Sequence, residues 1–266
     1  GSQSLPLATT DGTIARSTSL FSPSALTYDN SGNLYVATKG DDSNNNNDRS
    51  QIIKISPEGI ATLIAGVPGA LANTGSDGTL ASLVKISSPE GLTIDSGSGD
   101  LYFESANIIR KITPDGTIYN VPSPPTAISF SNPYGVLASR GVLYVSDTGR
   151  HCIYAFDIST STWSIYAGVW GSSGNLDSVD RLTAKFNGPR GLDIDSFGDI
   201  YVADYANKKI RIIGADRNVT TDETVLTLSP LDVAVDSQGD LYLAYGASSQ
   251  IGVIDRPLVN HFVSVV

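Results

Sequence analysis

One phrase of about a dozen residues recurs five times along this chain, and it restricts the fold more than any other feature. It reads Leu26-Thr-Tyr-Asp-Asn-Ser-Gly-Asn-Leu-Tyr-Val-Ala37, then Leu92-Thr-Ile-Asp-Ser-Gly-Ser-Gly-Asp-Leu-Tyr-Phe-Glu104. It returns from Val136 to Ser146, from Leu192 to Ala203 and from Val233 to Ala244. Units of this length, with apolar residues in alternation, bury their faces only against neighbouring copies. Each copy opens with a proline and a small residue or two, and the copies start near residues 21, 87, 132, 188 and 229. An alternating strand follows, then a turn carrying Gly32-Asn33, Gly99-Asp100, Gly198-Asp199 or Gly239-Asp240. Such pairs mark hairpins, because glycine accepts the positive φ that the turn demands. The third copy shortens this turn to Ser139-Arg140-Gly141.

The second strand always places a tyrosine second: Tyr35, Tyr102, Tyr144, Tyr201 and Tyr242. Five tyrosines at one structural position read as packing between copies. Third strands are expected around Ile52–Ile55, Ile108–Ile112, Ile153–Phe156, Ile210–Ile213 and Ile251–Ile254, and a fourth over Ile60–Ala65. Four antiparallel strands per copy, repeated about an axis, make the blade of an all-β propeller. The motif Pro-x-Gly-Leu-x-x-Asp, then Gly-Asp-x-Tyr-Val-Ala-Asp, an Asn three residues on and Ile-Arg-x-Ile resembles the NHL-repeat family. The fourth copy states it most fully, from Pro189 through Asp204 and Asn207 to Ile213. Five copies are visible, which favours a closed five-bladed ring; a six-bladed ring with one degenerate blade is the alternative. Either Leu5-Pro-Leu-Ala8 or His261-Phe-Val-Ser-Val-Val266 is expected to close the ring and remove its exposed edges. Residues 1–20 accordingly read as a scar (Gly1-Ser2), a closing strand and a linker, and 21–266 as the propeller.

The 266 residues suffice for one large all-β domain. A net charge of −10 repels phosphate backbones and argues against nucleic acid. No run of eighteen apolar residues encodes a membrane span. The Gly1-Ser2 start and the lack of Met read as a segment excised from a longer precursor, a monomer within a larger chain. Cys152 is the single cysteine, so no internal disulfide is expected, and it reads as a thiol near a strand start. With only His151 and His261, a multi-histidine zinc site lacks its ligands.

In a propeller the first strands line the central channel, and by the resemblance ligands bind the face where the inter-blade loops and the loops between second and third strands gather. The residue after each opening proline is expected at that rim. It differs in every copy: Ser24, Glu90, Tyr134, Arg190 and Leu231. A position that varies among otherwise matching copies is free of packing duty, so Glu90, Tyr134 and Arg190 are the candidate ligand-binding residues. Two long loops enlarge the face. In the first, Asp41, Asp42 and Asp48 among asparagines offer oxygen ligands suited to calcium, although their spacing follows no calcium-loop motif. The second carries Trp170 among glycines and serines, an aromatic platform for sugar or protein contact. Trp163 reads as packing. The recurring Asp29, Asp95, Asp195 and Asp236 sit beside turns and are expected to bond turn amides rather than act as acids and bases. Asp204 with Asn207, and Asp147 with Thr148, read as similar pairs. Asp41, Asp42, Asp48, Asp77, Asp177 and Asp180 give the face an acidic character that opposes an RNA-binding role. Asn218-Val219-Thr220 is a glycosylation sequon.

The expected function is a non-catalytic binding module of an extracellular or surface protein, recognising a protein or glycan through its loop-rich face. No catalytic set is assigned and no cofactor is required beyond the possible calcium. The alternative is a metal-dependent, lactonase-like hydrolase with its site at the channel mouth, to which Glu90 contributes.

Overall fold

The computed structural model describes residues 13–14, 20, 22–39, 50–66, 77–224, 226–246 and 250–255, and among these there is no α-helix. The first sheet takes β1 (Thr13–Ile14), β2 (Pro23–Tyr28), β3 (Leu34–Thr38), β4 (Gln51–Ile55) and β5 (Ile60–Ala65) in the order β1-β5-β4-β3-β2. The second takes β6 (Thr79–Leu80), β7 (Leu92–Ile94), β8 (Leu101–Ser105), β9 (Ile108–Ile112) and β10 (Thr117–Asn120) in the order β6-β10-β9-β8-β7. The third runs in sequence through β11 (Pro133–Ser139), β12 (Val142–Asp147), β13 (Cys152–Asp157) and β14 (Thr162–Ala167). The fourth runs likewise through β15 (Pro189–Ile194), β16 (Ile200–Asp204), β17 (Lys209–Ile213) and β18 (Val219–Thr221). In the fifth, the described strands are β19 (Asp232–Val235), β20 (Leu241–Tyr245) and β21 (Gln250–Ile254). The architecture is the five-bladed β-propeller. Both expected closing segments, and the loop holding Asp41, Asp42 and Asp48, lie outside the described residues.

The chain falls into two compact units, residues 1–145 with 155–164 and residues 146–154 with 165–266. In the first, Ala37, Ile52 and Ala65 of the first sheet pack with Leu92, Leu101, Phe103, Ile112 and Ile118 of the second. In the second, Tyr201, Ala203 and Ile210 of the fourth sheet meet Val233, Leu241 and Leu243 of the fifth. One rule governs both cores. Period-two alternation gives each strand two faces, and the Tyr/Ala face of one blade's second strand meets the Leu face of the next. Tyr201 is 5% exposed within that contact. Tyr201→Ala should therefore lower stability by about 3–5 kcal/mol, read from the denaturant midpoint; an unchanged midpoint would contradict the packing. Tyr242 departs from the expected role, for it is 41% exposed.

The turns follow local chemistry. Asp195 Oδ1 accepts the amides of Phe197, Gly198 and Asp199, and Asp29, Asp95 and Asp236 do the same work in their own turns. The blade tyrosines add a bond the repeat pattern did not reveal: the hydroxyls of Tyr35, Tyr201 and Tyr242 donate to Asp29, Asp195 and Asp236. In the shortened third turn, Arg140 and Gly141 both take positive φ, 51° and 79°, as a two-residue hairpin of the primed type requires. Trp163 packs as expected, against Phe130 and Phe156, with Nε1 donating to Pro122 O.

The linkers before the second and fourth blades cross the outer edge of the sheet they are about to enter. Thr79–Leu80 pairs with β10, and Ser178 bridges Val219. Five and three residues ahead of each blade's proline stand Val84 and Ile86, or Ala184 and Phe186, all buried.

Candidate functional site

In the first unit Glu90 follows Pro89, whose carbonyl accepts the Ser24 hydroxyl. Its carboxylate lies 2.6 Å from Lys39 Nζ, both side chains partly exposed. Beneath this ion pair is Glu104 on β8, 4% exposed, at a position occupied by Ala37, Ser146, Ala203 and Ala244 in the other copies. Glu104 Oε1 accepts the Asn107 amide at 2.7 Å. Burial pushes its carboxyl up to about 8; the Asn107 amide pulls the other way, and the Glu90 charge adds to the rise. Tyr134, half-buried, is the second residue of β11. A Cβ on Gly91 would stand 2.5 Å from the Tyr134 carbonyl oxygen, so only glycine admits this approach.

In the second unit Arg190 follows Pro189 on β15, with its Cζ 3.6 Å from the centre of the Tyr205 ring. Trp170 is 36% exposed; its Nε1 donates to Tyr154 Oη at 2.9 Å and Arg150 Cζ lies 4.4 Å over its ring. One short loop, 147–151, holds both arrangements. Asp147 Oδ1 accepts the amides of Gly149 and Arg150. Gly171 N donates to Arg150 O, which brings the Trp170 loop in. The Thr148 hydroxyl donates to Pro189 O, and Gly188 N donates to His151 Nδ1. Asp147 thus stabilises its own loop as expected, and Thr148 in addition reaches the next blade. Asp204 bonds Asn207 as expected, at 2.8 Å, and in addition meets Arg211.

That guanidinium is fully buried. It reaches Asp204 Oδ2 at 3.0 Å, Asp177 Oδ1 at 2.6 Å, and the carbonyls of Lys185 and Leu176. Asp177 also accepts from Thr221, Asp180 accepts the Leu182 amide, and Asp77 accepts the Asn120 amide. Of the acids expected on the loop face, Asp77, Asp177 and Asp180 thus bond groups at the linkers, and Asp41, Asp42 and Asp48 lie outside the described residues; in the second unit Arg150 stands on loop 147–151, Arg190 on β15, Lys208 just before β17 and Lys209 on it. Two further acids lie on the first strands of the fourth and fifth blades. Asp193 accepts the amides of Ile194 and Val235. Asp232 Oδ1 lies where a Cβ on Gly191 would fall, and burial among neighbouring groups raises both carboxyls.

The sequence-derived candidates therefore divide between the units, Glu90 and Tyr134 in the first and Arg190 and Trp170 in the second. Lys39, Glu104, Arg150, Tyr205 and Asp232 were not singled out. Glu104 and Asp232 were visible in principle, since each puts a carboxylate where the aligned copies carry glycine, alanine or serine. Cys152 is buried, and burial pushes its thiol up to about 12, which leaves it no nucleophilic thiolate. Among the described residues, no group of three or more His, Cys, Asp or Glu is placed to hold a metal, and no helix is long and apolar enough to cross a membrane.

The NHL repeat profile matches residues 186–213. No curated protein matches the sequence. Among solved structures the chain is similar to an auxiliary nutrient binding protein from Bacteroides ovatus, with 15% identity and a TM-score of 0.63, over 90% of this chain and 60% of that one. It is also similar to a chain of the nidogen/laminin complex, with 17% identity and a TM-score of 0.63, over 88% and 75% of the two chains. The catalytically inactive virginiamycin B lyase from Staphylococcus aureus gives 19% identity and a TM-score of 0.56, over 88% and 66%. At these identities the likeness is one of fold.

Proposed function

We propose that this five-bladed β-propeller, whose fourth blade matches the NHL repeat profile, is a non-catalytic binding module of a larger extracellular or surface protein, recognising a protein or glycan through its loop-bearing face. The observation that carries this reading is a single variable position on a repeated scaffold. Pro89, Pro133 and Pro189 are all buried, while the residues that follow them, Glu90, Tyr134 and Arg190, are each partly exposed and chemically unlike. Packing explains the constant positions and leaves the variable one to a ligand. The nutrient binding protein and the nidogen/laminin chain support a binding role for such a scaffold, although fold alone selects no partner.

Replacing Glu90, Tyr134 and Arg190 together by alanine should leave the thermal transition in place and abolish capture of a ligand from the source's surface or secreted fraction. Undiminished capture by the variant would move the site away from these residues. Glu104 favours a second reading, a lactonase-like hydrolase, because a buried carboxyl held protonated near neutrality is suited to proton transfer. Retention of a metal through dialysis, followed by lactone hydrolysis, separates that reading from the first.

A further inference from the structure

We propose that the face built around loop 147–151 binds an acidic saccharide, one bearing carboxylate or sulfate groups; the proposal rests on the binding-module reading and names its ligand class. Two guanidinium groups lie over aromatic rings, Arg150 over Trp170 at 4.4 Å and Arg190 over Tyr205 at 3.6 Å. A guanidinium stacked on a ring keeps its N–H edge directed sideways, where it meets a carboxylate or sulfate with two parallel bonds. The stacking also limits its rotamers, so less freedom is lost when the ligand arrives.

The two pairs are tied to one another through a single loop. Gly171 N donates to Arg150 O at 2.8 Å, the Thr148 hydroxyl to Pro189 O at 2.9 Å, and Gly188 N to His151 Nδ1 at 3.1 Å. Trp170 is further held by its bond to Tyr154. This is a prearranged surface, with polar and aromatic groups on one rigid support.

Charge selects the ligand. The chain carries −10 overall, yet Lys208 and Lys209 add to Arg150 and Arg190 on the adjoining loop. Lys209 Nζ bonds Asn175 Oδ1 and Lys208 Nζ bonds Thr227 O, so both reach across to neighbouring loops. Two carboxylates of the same loops, Asp147 and Asp204, are fully buried, the first accepting loop amides and the second meeting Arg211. Asp222, whose amide donates to Ile210 O, accepts the Thr224 amide through its carboxylate. The part of Trp170 left exposed beside Arg150 suits the C–H face of a sugar, while the arginines require that the sugar be acidic.

The test is titration of the whole chain with polygalacturonate and with a sulfated polysaccharide, heparin, beside neutral galactan and poly-glutamate. Polygalacturonate, heparin or both should bind, weakening as salt rises, while galactan should not; which of the two binds separates carboxylate from sulfate. Arg150→Gln with Arg190→Gln should lower the affinity about tenfold or more. Lys208→Gln with Lys209→Gln, which leaves both stacked pairs in place, is the second variant should the first unfold, and it should weaken binding less. No binding of either acidic polymer, equal binding of galactan, binding of poly-glutamate in preference to both polysaccharides, or indifference to both variants would overturn the inference. A ligand captured from the source fraction and lost on triple-alanine replacement, with neither acidic polysaccharide bound, would preserve the binding module and reject this ligand class.

Discussion

Replacing Glu104 by glutamine should stabilise the protein at pH 8 and leave it nearly unchanged at pH 5. The wild-type carboxyl is 4% exposed and burial raises it from 4.5 to about 8 in the folded chain. In the unfolded chain it ionises near its ordinary value. Between those two values folding must take up a proton, so the folded-state pKa is the higher one and stability falls as pH rises. The loss approaches about 1.4 kcal/mol per pH unit across the window. Glutamine has the same shape, still accepts the Asn107 amide through its oxygen, and has no charge to lose. At pH 8 the variant should be more stable by on the order of 4 kcal/mol, and at pH 5 by less than about 1 kcal/mol. Denaturant midpoints at pH 5, 6, 7 and 8 for both proteins give the comparison directly. Asp193, Asp204 and Asp232 are also raised, but they occur in both proteins and cancel in the difference. Parallel pH profiles would mean that Glu104 is ionised when folded, and the proton-transfer reading of this residue would fall with them.

The blades were legible in the sequence because their signals are local. Alternation, a Gly-Asn or Gly-Asp turn and a tyrosine at one register recur where β3, β8, β16 and β20 form. The turn aspartates were legible for the same reason, their amide partners lying two to four residues away. What remained hidden depends on contacts far apart in sequence. Tyr205 stacks on Arg190, fifteen positions earlier, and no periodicity marks that pair. Lys39 meets Glu90 across two blades. The bonding roles of the linker acids Asp77, Asp177 and Asp180 were hidden for a related reason. Their types and spacing indicate charge, but only the fold shows that Asp177 is consumed by Arg211 at a sheet edge. Trp170 was read as an open platform, and the structure adds that Arg150 covers part of it.

Arg211→Met should be among the most damaging single changes in the second unit, costing about 3–5 kcal/mol. The argument lies in what the guanidinium leaves behind. Asp204 is fully buried and already raised by desolvation, held toward ionisation by the Asn187 amide, Asn207 and Arg211. Without the arginine that carboxyl must protonate or remain buried and uncompensated. The carbonyls of Lys185 and Leu176 lose donors at 2.9 Å each, and Asp177 loses its tie to the sheet. Methionine fills the apolar part of the space, next to the Phe186 ring that lies 5.0 Å from the guanidinium, but supplies no donor. Adding Asp204→Asn should therefore recover part of the loss, on the order of 1–2 kcal/mol, since a neutral side chain tolerates the missing cation. The damage should also have an address. Leu176 and Lys185 exchange two amide bonds, and so do Ser178 and Val219, so these four amides should lose hydrogen-exchange protection before the core of β16 does. If protection at the linker survived while global stability fell, Arg211 would matter only as interior packing. If linker and global stability both held, the buried cluster would not be what fastens this linker to its blade, and the loop face it supports would need another anchor.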